Sequence, residues 1–142
     1  MAIFRPNEEE RVRELLAELE RPVELLLALG PEETPLQGAR DIDYSGEAQR
    51  LVTEIAALSP HVTARVEEEP PGFDRFPAIG VRPDGEDAGV RYDGLPWGYE
   101  LSSLIGAVRE AGRRESTLAP ASIETLLALE RPVAVDVFVT PT

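Results

Sequence analysis

No cysteine occurs in the 142 residues, so the chain supplies no disulfide framework, no thiolate zinc site and no thiol nucleophile of its own. Histidine is almost as scarce. His61 is the single copy, which leaves neither a His-paired metal site nor a Ser-His-Asp triad with more than one imidazole to draw on, and after Pro60 it reads as a solvated loop residue. Positive charge is also short: 14 Lys and Arg against 27 Asp and Glu leave a formal net charge of −13. Such a balance repels phosphate backbones and anionic headgroups, so neither nucleic acid nor a membrane surface is an expected partner. The opening MAIFRPNEEE lacks the long apolar stretch of a secretory signal, and no run approaches the length of a bilayer span. The expected location is cytoplasmic.

What is present fits one soluble globular domain, with 42% hydrophobic and 29% charged residues. Asn7-Glu8-Glu9-Glu10 has capping-box spacing, and Val12, Leu15, Leu16 and Leu19 recur at helical intervals, which predicts an amphipathic helix over residues 8–20. Pro22 ends it. VELLLAL at 23–29 is a nearly continuous apolar run closed by Gly30-Pro31, as expected of a strand buried on both faces. Residues 30–46 read as a long loop, broken by Pro31, Pro35 and Gly38. Ala48, Leu51, Val52 and Ile55 mark a second helix ended by Ser59-Pro60, and Val62, Ala64 and Val66 alternate as a strand with one buried face. Strand, helix, strand in that order favours a right-handed parallel crossover. PAIGV and GVRY, parted by the turn residues Pro83-Asp84-Gly85, permit an antiparallel hairpin. Leu101, Leu104, Ile105 and Val108 predict a helix to about Gly112, Ser122 to Glu130 a short one, and VAVDVFV at 133–139 a strongly alternating strand.

One phrase occurs twice. LLAELERPVELLLALGP, from Leu15, returns near the end as LLALERPVAVDVFVTP, from Leu126, so that Pro22 and Pro132 stand a small domain's length apart. The plain reading is that the second copy opens a second unit that stops after one strand, dividing the chain into residues 1–115 and 116–142. Chance repetition in a Leu- and Glu-rich chain is the alternative. A lone strand whose apolar side is meant for a sheet needs a partner in this chain, in a second molecule or in residues that were removed; removal is the preferred reading, with a sheet edge shared in a homodimer as the other guess.

The stretches ERPVELLLALG (20–30), LVTEIAALSPHV (51–62), FPAIGV (76–81), GVRYDGLPWGYELSSLI (89–105) and VAVDVFVTPT (133–142) span most of the chain. In this order they resemble the N-terminal thioredoxin-like unit of the glutaredoxin-like protein disulfide oxidoreductases, and are similar to the N-terminal domain of the alkyl hydroperoxide reductase flavoprotein subunit. The resemblance implies an α/β thioredoxin-like fold: a mixed four-stranded sheet flanked by helices, followed by a helix and strand that start a second unit. In such proteins the strand like VFVTPT runs into a Cys-Pro-x-Cys motif. The chain is therefore expected to be a fragment that lacks the catalytic unit, redox-inactive by itself, and to serve as a scaffold or partner-binding module.

Site residues follow from the same resemblance. Some of these proteins carry a second CxxC after the first strand. Counting forward from Gly30 puts its place near Thr34 to Gln37, and counting back from Leu51 puts it near Ile42 to Ser45; neither window holds a thiol, and disulfide exchange requires a thiolate. Pro77 corresponds to the proline held cis beside the redox motif, so Phe76 and Pro77 are the implied substrate-binding loop. Glu100, at a helix start, is a weak acid/base candidate whose proton affinity the helix dipole should lower, a plain helix-start charge being the favoured reading. No catalytic residue, metal or cofactor is implied in this chain. The implied partners are a C-terminal catalytic unit of the same protein and a peroxidase or peptide substrate, and the alternative is a free-standing, non-redox adaptor.

Three further patterns carry less. Asp41, Asp43, Ser45 and Gly46 mimic the start of a calcium loop, but its twelfth position is Val52, so a turn with Ser45 or Gly46 capping the next helix is expected. Nothing in the spacing gathers Asp41, Asp43 and Glu100 as a carboxylate hydrolase would need. Trp97, beside Pro96, is expected to pack under its own loop rather than to anchor a partner.

Overall fold

The computed structural model describes residues 2–31 and 42–139. Helix α1 spans Pro6–Leu16, starting on a proline whose missing N–H is not needed in the first turn. Arg5, not Asn7, stands before it, and its backbone N–H donates to the Glu8 carboxylate at 2.8 Å. The helix also stops short of the expected residue 20. Beyond Leu16 the chain turns to another partner: the N–H groups of Glu20 and Arg21 both donate to the carbonyl of Gly112, at 2.8 and 3.2 Å. Leu19 stays buried at that junction.

Strand β1 covers Val23–Leu29, as the apolar run predicts, and lies inside a sheet ordered β2-β1-β3-β4. β2 (Val62–Glu68) runs parallel to it, while β3 (Ala78–Pro83) is antiparallel to β1 and forms a hairpin with β4 (Val90–Asp93). The hairpin turn needs left-handed backbone at Asp84 and Gly85, with φ of 53° and 75°, which an Asp-Gly pair adopts at little cost. Helix α2 (Tyr44–Ala57) links β1 to β2, and α3 (Tyr99–Ala111) follows β4. The expected mixed four-stranded sheet with flanking helices is the observed one. No described helix is long and apolar enough to cross a membrane.

The core lies on one face of the sheet. Val23, Leu25 and Leu27 of β1, with Ile79 and Val81 of β3, pack into one cluster with Leu16 of α1, Leu51, Val52 and Ile55 of α2, and Leu104 and Val108 of α3. Leu26, Ala28 and Ala78 are buried too but stand outside that cluster, on the opposite side of the pleat. There Phe73 lies over Gly80, whose missing side chain admits the ring, and Arg91 stacks on Phe73 at 4.3 Å from its centroid. Around this small apolar strip the face is paved with ion pairs, among them Arg82 to Glu24 at 3.2 Å and Arg65 to Glu67 at 2.9 Å.

Two further expectations fail. β2 buries Val62 but leaves Ala64 and Val66 exposed, because as an edge strand it lacks a neighbour whose side chains would cover them. The larger failure is at 133–139, which forms no strand and joins no ladder. Helix α4 (Pro120–Leu127) precedes it and buries no residue; from Arg114 to Val139 every residue except Ile123 is exposed. Alternation makes a segment suited to a sheet, but a strand exists only where another strand takes its hydrogen bonds.

Candidate functional site

The register gathers several segments at the carboxyl end of β1. Leu29 stands beside Glu68, Ala28 beside Ala78, and Ala78 beside Asp93, so Gly30, Pro77 and Gly94 come next at the same end. Backbone bonds tie them: Glu69 N–H donates to the Leu29 carbonyl at 2.7 Å, and Gly94 N–H to the Pro77 carbonyl at 2.8 Å. The Phe76–Pro77 peptide is cis. Pro77 is buried and Phe76 half-buried. Gly30 explains where the ring goes, since a Cβ there would come within 2.5 Å of Phe76 Cδ2; the aromatic edge lies directly on the glycine backbone.

α2 begins at this end because it follows β1. Its N-cap is Asp43, whose carboxylate accepts the Gly46 N–H at 2.8 Å. The cap is therefore Asp43, and not Ser45 or Gly46 as the sequence suggested: both lie inside the helix, and only the residue before it can reach back to an unpaired N–H. The count back from Leu51 falls on the start of α2, whereas Thr34 to Gln37 and Asp41 lie outside the described residues. Among the described residues no three His, Asp or Glu side chains converge as a metal would require.

The loop into α3 forms the other wall. Gly94 and Gly98 hold φ of 84° and 62°, left-handed values that suit glycine, and bracket Leu95, Pro96 and Trp97. Pro96 is the residue fully buried under this loop, while Trp97 is 41% and Tyr99 85% exposed. The expectation for Trp97 thus fails: Pro96 fills the space, and the tight backbone sends its neighbour outward. Glu100 follows in the first turn of α3. Its carboxyl is held above the ordinary carboxylate value by burial, opposite to the lowering expected from the helix dipole.

His61 is at the far end of the sheet, exposed, with its carbonyl accepting the Val23 N–H at 2.9 Å. The described site end therefore holds no imidazole, and the chain has no thiol to place there. What it offers is a ring edge, backbone polar groups, two exposed aromatics and one carboxyl that keeps its proton more readily than usual. Sequence reasoning placed Phe76, Pro77 and Glu100; it missed the outward Trp97 and Tyr99, for which the paired glycines of GLPWG were the available signal.

A parallel β-α-β unit joined to a β-hairpin and helix, with the strand order β2-β1-β3-β4 and a cis proline leading into β3, defines a thioredoxin-like module. Its relatives are specific. The chain is 29% identical over 133 residues to the alkyl hydroperoxide reductase AhpF of Staphylococcus epidermidis, a match covering 94% of this chain and 24% of that protein. The Staphylococcus aureus protein of the same name is 28% identical with the same coverage. In structure, the NTD_N/C domain of alkylhydroperoxide reductase AhpF from Enterococcus faecalis superposes with a TM-score of 0.74 at 25% identity, over 90% of this chain and 62% of that one. A protein disulfide oxidoreductase from Aeropyrum pernix shares the fold, with a TM-score of 0.69 at 22% identity over 88% of this chain and 55% of that one. The chain spans about a quarter of the length of the curated relatives it matches. No protein-family model matches it. It is thus a thioredoxin-like module similar to the N-terminal region of AhpF.

Proposed function

We propose that this module is a non-catalytic part of a thiol-disulfide redox protein, holding a catalytic thioredoxin-like unit or its protein substrate in place while the sulfur chemistry occurs elsewhere. The observation that carries the reading is a cis-proline loop at the carboxyl end of β1 in a chain that has no cysteine. Exchange begins with a thiolate attacking a disulfide sulfur, and no side chain here can replace it. In this reading Phe76 and Pro77 receive an extended peptide, and Glu100 is a bystander whose burial only shifts its own titration. Residues 116–142, which repeat the α1-to-β1 passage, mark the start of the neighbouring unit.

A second reading, a free-standing adaptor for a peptide or a peroxidase, draws on the exposed Trp97 and Tyr99, which follow the Gly94 bonded to Pro77, since exposed aromatics are common anchors at interfaces. Two measurements test the shared core of both. In an insulin-reduction assay the 142-residue chain should show no turnover above buffer. An insulin B-chain peptide with serine in place of its cysteines should shift backbone amide resonances near residues 76–77 and 94–100, with weaker binding in Phe76→Ala. Turnover in the assay contradicts the non-catalytic role, and shifts confined to the His61 end contradict the assignment of the loop.

A further inference from the structure

Two phenylalanines of one loop rest on two glycines. The loop joins β2 to β3 and carries Pro70, Pro71, Gly72 and Phe73 ahead of Phe76 and Pro77. Its start is fixed by the Glu69 N–H bond to the Leu29 carbonyl at 2.7 Å, and its end by the Gly94 N–H bond to the Pro77 carbonyl at 2.8 Å. Between these ties the Phe76 ring lies on Gly30, and Phe73 Cζ stands 3.1 Å from the place a Gly80 Cβ would take. Gly80 is paired with Leu26, so this second seat is on the sheet face away from the hydrophobic core.

The β3–β4 hairpin closes the Phe73 seat from the other side. Arg91 is the cross-strand neighbour of Gly80, and its guanidinium lies 4.3 Å from the Phe73 ring centroid. Asp87 grips both Nη atoms of that guanidinium, at 3.1 and 2.8 Å, and also accepts the Gly89 N–H at 2.8 Å. The ring is thus held between strand backbone and a planar cation that is itself held in place. Gly72 leaves room for the clamp: its φ is 84°, and a Cβ there would stand 3.2 Å from Arg91 Nη2. Asp74 and Arg75, between the two rings, are exposed, and the Arg75 pair with Asp93 at 3.5 Å is a surface contact worth little. The shape of this stretch therefore depends on where the rings sit.

We propose that Phe73 is a positioning residue: seated on Gly80 under the Arg91–Asp87 clamp, it holds the loop in the shape that receives an extended peptide, the receiving role itself being the one proposed for Phe76 and Pro77. A loop that is already ordered loses less freedom on binding, so the seat acts on affinity without touching the peptide.

Backbone amide NMR relaxation and peptide titration of the 142-residue chain test it together. In Phe73→Ala the order parameters of Asp74, Arg75 and Phe76 should drop from about 0.85 to below about 0.6, with those of β1 unchanged. The serine-substituted insulin B-chain peptide should then bind roughly three- to tenfold more weakly. Gly80→Ala, which takes away the seat rather than the ring, should loosen the same residues, and adding it to Phe73→Ala should change nothing further. Arg91→Lys keeps the charge but not the planar fork, and should give a smaller loosening than Phe73→Ala. Loop order unchanged in Phe73→Ala, or a loosened loop that binds the peptide as tightly as before, overturns the proposal. Absence of any peptide binding by the parent chain would refute the receiving role of Phe76 and Pro77, while loosening in Phe73→Ala would still uphold the seat.

Discussion

The phrase LERPV is used twice by this chain, and the two uses end in opposite environments. At its first occurrence Leu19 is 8% exposed and Val23 fully buried; at its second, Leu129 is 53% and Val133 67% exposed. Both copies leave a helix and enter an alternating or apolar run, so local propensity is nearly the same. The difference is what waits on either side. β1 is flanked by β2 and β3, covered by three helices, and steadied at its entrance by Gly112, whereas 133–139 meets none of these within the described residues. Secondary structure in a sheet is a property of a pair of segments, and one member of the pair is not enough.

The largest break in this comparison comes from the core. Leu25→Ala should lower stability by about 3 kcal/mol in urea titration, because it empties a fully buried site between sheet and helices. Val135→Ala, its counterpart after the second proline, should change nothing measurable, because that side chain is 79% exposed. Next is the junction itself. A Cβ on Gly112 would come within 3.0 Å of Leu19 Cγ and 3.1 Å of its Cβ, so Gly112→Ala should cost about 1 to 3 kcal/mol by forcing the helix end off the first LERPV. Arg21 donates from Nε to the Ala111 carbonyl at 2.7 Å. Arg21→Ala should therefore cost about 1 kcal/mol and Arg131→Ala nothing, by thermal or chemical unfolding.

The smallest effects are electrostatic and show in the pH dependence of unfolding. Asp87 has its pKa lowered, first by a hydrogen bond from Arg91 and then by one from the Gly89 N–H. Its contribution is present above the unfolded carboxylate value and is lost as pH falls through the lower folded value; Asp87→Asn should remove a few tenths of a kcal/mol at neutral pH and flatten that acid limb. Glu100 has the opposite sign. Burial raises its folded pKa, so ionising it disfavours the folded state as pH climbs from the unfolded value through the folded one. Glu100→Gln should leave stability unchanged in acid and raise it slightly at neutral pH, a gain that a carboxylate stabilised by the helix dipole would turn into a loss.

Much of the fold was legible because its signals are local. The apolar run 23–29, the Asp84-Gly85 turn and the 3.6-residue spacing from Ala48 to Ile55 each produced the element they announce. The cis Phe76–Pro77 bond was expected from resemblance alone, since neither periodicity nor composition distinguishes Pro77 from the chain's other prolines. What escaped depends on partners distant in sequence. The early end of α1 is set by a carbonyl of Gly112, the exposure of Val66 by its place at a sheet edge, and the outward Trp97 by Pro96 filling the space beneath the loop. The proton affinity of Glu100 was misjudged for a related reason: a helix start is visible in sequence, but the packing that strips water from a carboxylate is not.

The bonds from Glu20 and Arg21 to Gly112 have an architectural consequence. They set the doorway into the sheet against the doorway out of it, reinforced by Arg114 N–H to Glu20 at 3.3 Å and Arg109 to Glu18 at 3.3 Å. The start of the central strand is thereby clasped to the C-cap residue of α3, so the opening and the closing of the sheet's helical cover must loosen together.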